Sequence, residues 1–128
     1  MNYRDLNGST LAYLGDAVFE LIARKRLVDS GITDIGKLNE MARKYVTATA
    51  QSDALDRILP VLTEQEDSAY KLGRNTHTTT VPKSAKAGQY RRATGFEALF
   101  AYLYLNGEND RLLELFNLAF PEDEGNEG

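Results

Sequence analysis

The chain has no cysteine, which removes disulfides, thiolate zinc sites and cysteine nucleophiles at once. Its one histidine, His77, has no second ligand at metal-binding spacing, which leaves it as a loop residue or at most a phosphate contact. No uninterrupted apolar run approaches the ~20 residues of a membrane-spanning helix, and no basic region followed by an apolar core opens the sequence. A soluble, unsecreted, cytoplasmic protein is expected. Strand signals are absent throughout, and no segment repeats.

What is present fits a single helical domain. A chain of 128 residues can bury roughly two-thirds of its unfolded surface, enough for a core without staples. That domain is placed at 1–120, followed by an acidic, glycine-ended tail at 121–128 whose composition predicts disorder. The net charge of −4 argues against nucleic acid until it is located along the chain. Lys71, Arg74, Lys83, Lys86, Arg91 and Arg92 stand together with no acid among them, so this segment carries +6 and the remainder −10. Such a segment is either a solvated loop or a contact for a phosphate backbone.

Periodicity predicts six helices. The first runs from near Ser9 to about Ser30, with Gly31 to close it, and its core-facing stripe is Leu11, Leu14, Val18, Leu21 and Ile22. Asp16 projects from the other side. The second begins at Thr33 or Asp34 and carries Ile35, Leu38, Met41, Ala42 and Tyr45 as core. After a break within 47–52 a third continues to Pro60, and Thr63-Glu64-Gln65-Glu66 forms a capping box that opens a fourth, ending near Gly73. The polar, β-branched stretch 74–83 reads as a loop or a strained helix extension. Helical character resumes by Gln89-Tyr90, with Phe96, Leu99, Phe100, Leu103 and Tyr104 as the apolar face. Asn106-Gly107 stops that helix. Asn109 caps the last, whose apolar positions are Leu112, Leu113, Leu115, Phe116 and Leu118.

Two places join a glycine to an acid: Gly15-Asp16 and Gly95-Phe96-Glu97. A mid-helix glycine costs about 1 kcal/mol relative to alanine, so Gly15 points to another backbone packed close by. Asp16 taken alone reads as a solvated surface carboxylate. Glu97, at the edge of an apolar face, needs a partner, either an arginine or a metal. If the two helices cross at the glycines, the acids converge and can bind a divalent cation through oxygen. Mg²⁺ suits such a site, since it keeps several waters and takes one or two protein carboxylates. With the basic segment leading into the Glu97 helix, the arrangement fits metal-assisted phosphodiester hydrolysis.

These residues also resemble a known family. Tyr13-Leu14-Gly15-Asp16-Ala17-Val18 resembles the helix motif of ribonuclease III, and Thr94-Gly95-Phe96-Glu97-Ala98-Leu99 its second acidic motif. Gly73-Arg74-Asn75, Val81-Pro82-Lys83 and the run from Tyr90 to Leu99 resemble the short Mini-ribonuclease III branch in particular. The resemblance implies an all-α ribonuclease III endonuclease-domain bundle, acting as a two-fold homodimer. It implies Mg²⁺-dependent cleavage of double-stranded RNA, with Mn²⁺ as a substitute, typically in maturing large-subunit precursor ribosomal RNA and leaving 5′-phosphate ends. By position, Asp16 and Glu97 match catalytic metal-binding carboxylates. Lys71, Arg74, Asn75, Lys83, Lys86 and Arg91 become the candidate RNA contacts, and Tyr13 a dimer contact. Ala12 and Thr94 stand where longer relatives carry two further acids, so half of the usual carboxylate set is missing; Glu20 is the remaining acid one turn beyond Asp16. A non-catalytic RNA-binding or ribosome-assembly module on the same fold is the competing reading.

Overall fold

The computed structural model describes residues 5–76 and 86–122. His77, the threonines that follow it, Lys83 and most of the acidic tail therefore lie outside the described residues. Every regular element among those described is helical. Helix α1 (Gly8–Asp29) is capped by Asn7, two residues ahead of the expected Ser9, through an Asn7 Oδ1 that accepts the Thr10 amide at 2.8 Å. It closes at Gly31, whose φ of +96° is open to glycine and strained for other residues. Helix α2 (Ile35–Val46) starts on Asp34, which accepts the Lys37 amide at 2.9 Å. Thr47 then turns extended and its hydroxyl caps α3 (Ala48–Ile58), which accounts for the expected break. Pro60 sits in a 3-10 turn, Leu59–Val61.

Both arms of the capping box form at the start of α4 (Glu64–Arg74): the Thr63 amide donates to Glu66 Oε1 at 2.9 Å and the Glu66 amide to Thr63 Oγ1 at 3.2 Å. Helix α5 (Ala87–Leu105) ends before Gly107, whose φ is +71°. Helix α6 (Asn109–Ala119) begins at Asn109 itself. Glu108 holds the flanking position without a side-chain cap, so the expected Asn109 cap is not formed.

Helix α5 is the central element, with α1, α3, α4 and α6 packed around it. Phe19, Phe96, Phe100 and Phe116 are fully buried, and Phe19 meets Phe96 and Phe100 edge to face at centroid separations of 5.3 and 5.5 Å. This corrects the expected stripe on α1: Phe19 lies in the core, whereas Leu21 is 68% exposed. Apolar residues occupy most of the circumference of α1, so its periodicity alone cannot say which arc turns inward. Helix α2 is a similar correction, because none of its residues is fully buried and Ile35 is exposed. It covers the domain from one side, with Tyr45 stacked on Phe116. Tyr104, Leu113 and Leu118 also stay exposed.

One buried charge ties the periphery together. Glu66, 3% exposed, receives a two-pronged bond from Arg111, Nε to Oε2 at 2.9 Å and Nη2 to Oε1 at 2.8 Å, and Arg111 also donates to the Val61 carbonyl at 2.8 Å. The bond from Arg111 holds the Glu66 carboxyl below its ordinary range, overcoming the opposing effect of burial. Removing Arg111 would strand that charge, so Arg111→Ala is expected to cost about 3–5 kcal/mol, read by denaturant unfolding. A lowered folded-state pKa adds stability that is present above the ordinary value of 4.5 and lost as pH falls through the folded value. Glu66→Gln, which keeps the capping-box geometry, should therefore lose less of its melting temperature between roughly pH 5 and pH 3 than the wild type does.

Candidate active site

The crossing of α1 and α5 places the two acids. A Cβ built on Gly15 would lie 1.7 Å from the Glu97 carbonyl oxygen, so no larger residue fits without parting the helices. A second crossing braces the first: a Cβ on Gly73 would meet Ala98 Cβ at 2.5 Å and the Gly95 Cα at 2.9 Å, and one on Gly95 would meet the Tyr70 ring at 2.6 Å. Glycines on three helices thus let α1 and α4 approach α5 at backbone distance.

At this point Glu97 and Asp16 share a hydrogen bond. Asp16 is exposed and Glu97 is partly buried. Burial first, and then the hydrogen bond and charge of Asp16, push the Glu97 carboxyl up to about 9. At neutral pH Glu97 therefore keeps its proton. Two adjoining carboxyl groups form a hard-oxygen donor set in which a divalent cation can take the place of the Glu97 proton.

No third ligand joins them. Among the described residues no group of three acids, histidines or cysteines could hold a metal. Ala12 is buried, the Thr94 hydroxyl donates to the Tyr90 carbonyl at 2.9 Å, and Glu20 is paired with Arg24 at 2.6 Å. The reduced carboxylate set read from Ala12 and Thr94 is thus also the spatial one.

The basic residues divide. Lys71 pairs with Asp67 at 2.7 Å. Arg92 turns inward to α3, bonding Ser52 Oγ at 2.8 Å, the Ser52 carbonyl at 3.0 Å and the Asp56 carboxylate. Arg74, Asn75 and Arg91 meet, with Thr76, around a surface recess of about 390 Å³. Arg91 lies six residues before Glu97, roughly 9 Å along α5. Lys86 stands exposed at the N-cap of α5, and Lys83 is outside the described residues. Tyr13 is 84% exposed, on the opposite flank of α1 from the core. Tyr70 and Thr76 were not signalled by the sequence as site residues: Tyr70 is a buried aromatic like any other in the pattern, and its place beneath Arg74 depends on how α4 meets α5.

Comparison with known proteins agrees with this geometry. Residues 9–108 match the model of the ribonuclease III domain. The chain belongs to the ribonuclease III family. It is 46% identical to a Mini-ribonuclease 3 of Symbiobacterium thermophilum, covering 86% of this chain and 85% of that one. It is 45% identical to the Mini-ribonuclease 3 of Enterococcus faecalis, over 91% of this chain and 89% of its relative. A crystal structure of a Fusobacterium nucleatum protein superposes with a TM-score of 0.84 at 30% identity, covering 95% and 99% of the two chains. The family membership makes the chain a ribonuclease III-type endoribonuclease.

Gly15→Ala should destabilise the protein by about 3 kcal/mol, measured by urea unfolding, since its methyl group has no space to enter. The raised Glu97 pKa has the opposite linkage to Glu66. Its contribution is present below the ordinary value of 4.5 and is lost as pH rises toward 9. With metal removed by chelator, Glu97→Gln should accordingly gain stability relative to wild type between pH 5 and pH 8, by about 4 kcal/mol at roughly 1.4 kcal/mol per pH unit, seen as a widening gap in melting temperature.

Proposed function

We propose that this enzyme is a divalent-metal-dependent endoribonuclease that cleaves double-stranded RNA. Its substrate is precursor ribosomal RNA of the large subunit, and it works in the cytoplasm as a homodimer. The observation that carries the reading is the Asp16–Glu97 pair, two acids brought together by a glycine-enforced crossing, with the Glu97 carboxyl raised by burial and by its neighbour. The residues present fit Mg²⁺, or Mn²⁺ in its place: Asp16 and Glu97 would hold the cation, with water and RNA phosphate filling the positions that Ala12 and Thr94 leave open. The bound cation supplies a water of lowered pKa and offsets charge on the phosphate.

The protein's own part is to position and to exchange protons. Glu97 would have to give up its proton to hold a cation, so metal affinity is expected to rise with pH. Asp16 is the exposed member of the pair and so the one open to a substrate phosphate. Uncommitted donors on α4 and α5 offer contacts to the phosphate backbone. The relatives that share most of this chain bear the name Mini-ribonuclease 3, which supports the same substrate class. The homodimer draws support from exposed Tyr13 and from the apolar groove of about 380 Å³ beside it, whose lining includes Leu14, Ala17, Leu21 and Tyr104.

Incubation of wild type, Asp16→Asn and Glu97→Gln with duplex RNA tests the reading. Wild type should cleave with Mg²⁺ and stop on chelation, while each variant falls at least about a hundredfold in kcat and still binds the duplex, an effect of the size expected for lost charge stabilisation. Full activity in both variants would return the chain to the competing role of an RNA-binding module. Tyr13→Ala should shift the sedimentation coefficient from dimer toward monomer.

A further inference from the structure

We propose that the recess between the C-terminus of α4 and the N-terminal half of α5 is a dedicated seat for one non-scissile phosphate of the RNA backbone. That phosphate lies within about three nucleotides of the bond cut at Asp16 and Glu97, by the rise of a strand against the length of α5 between the two sites. The proposal rests on the endonuclease reading and adds to it a defined contact point, with its own residues and its own register.

Four observations converge on it. The lining residues Arg74, Asn75, Thr76 and Arg91 include no acid, and the recess of about 390 Å³ has room for roughly a dozen waters, hence for a phosphodiester group with part of its hydration. Arg74 is set in place before any ligand arrives: its guanidinium lies over the buried Tyr70 ring at 5.5 Å, and its Nε donates to Asn75 Oδ1 at 3.2 Å. That bond engages Asn75 Oδ1 and leaves its Nδ2 to donate. The Thr76 hydroxyl donates to the Leu72 carbonyl at 3.0 Å, which ties it to the end of α4. The free donors of Arg74, Asn75 and Arg91 and the two fixed positive charges together favour an anionic acceptor over a neutral base edge.

Commitment of the neighbouring cations sharpens the assignment. Lys71 is neutralised by Asp67 and Arg92 by Asp56, whereas among the described residues Arg74 and Arg91 face no carboxylate. The separation between recess and acids is also fixed rather than adjustable. Gly73 meets Gly95 at backbone distance one residue before Arg74, and Gly15 meets Glu97 two residues after Gly95. Rigid spacing of this kind turns a phosphate contact into a ruler that sets which bond reaches the acids.

The test uses RNA duplexes in which a single phosphate at a time is replaced by a neutral methylphosphonate, scanned over the four positions on either side of the cleavage site in both strands. Wild type should show one non-scissile position where neutralisation raises KM about tenfold and leaves kcat nearly unchanged. Arg74→Gln and Arg91→Gln should each raise KM about tenfold on the unmodified duplex, lower the salt slope of binding by about one, and abolish the penalty at that position. Asn75→Asp, which turns the donor into an acceptor of like charge, should weaken binding more than Asn75→Ala. Penalties that are the same in wild type and the arginine variants, or salt slopes that do not change, would overturn the seat. Intact duplex after incubation with wild type and Mg²⁺ would instead overturn the endonuclease reading beneath it, so the two failures are told apart.

Discussion

The backbone contact between Gly15 and Glu97 is the constraint on which the rest of the molecule depends. Two helices that meet through side chains keep their axes 8–10 Å apart (a general range); here a missing side chain lets α1 rest on the carbonyl of α5 itself. That closeness sets Asp16 against Glu97, and burial at the crossing, with the hydrogen bond and charge of Asp16 added to it, raises the Glu97 pKa. The same contact sets the α1–α5 interface, the most extensive between any two elements, and so joins the core to the site. Packing and chemistry are therefore one feature. A change that relaxes the crossing alters both stability and the electrostatics of the acids.

The protein's negative net charge and its proposed polyanionic substrate are reconciled by where charges are spent. Acids elsewhere neutralise many of the cations: Glu66 and Glu114 hold Arg111, Glu20 holds Arg24, Asp29 holds Lys25. Within the acid-free segment the fold spends Lys71 and Arg92 on internal pairs and leaves Arg74 and Arg91 uncommitted. Screening limits the reach of exposed charges to about 8–10 Å, so an RNA at this face senses the local cations far more than the distant excess of acid.

Much of the architecture was legible because helix ends carry local signals. Asp34, Thr47 and Thr63 each satisfy the amides of their own helix, and Gly31 and Gly107 take the left-handed conformation that ends one; such events involve neighbours in sequence and need no knowledge of the fold. The orientation of the apolar faces was less legible. Leu21 and Phe19 are two residues apart on a helix that is apolar nearly all round, and only its neighbours decide that Phe19 is enclosed while Leu21 faces out. Helix α2 has the amphipathic pattern of a core element yet covers the domain from one side, since no further helix among the described residues closes over Ile35.

The sequence by itself determined the inventory: helices with their caps, two glycine–acid pairs, an acid-free basic segment, and the absence of acids at positions 12 and 94. Each follows from residue identity at short range, where spacing along one chain fixes spacing in space. Only the tertiary structure decided which members of that inventory act together. Asp16 and Glu97 are 81 positions apart in the chain, and their meeting depends on the close α1–α5 approach at Gly15, braced by the α4–α5 approach at Gly73 and Gly95. Arg91 and Arg92 are neighbours of the same type, yet the turn of one helical step sends Arg92 into α3 and Arg91 to the recess with Arg74. That choice belongs to the packing of α5 among its neighbours, and no local pattern encodes it.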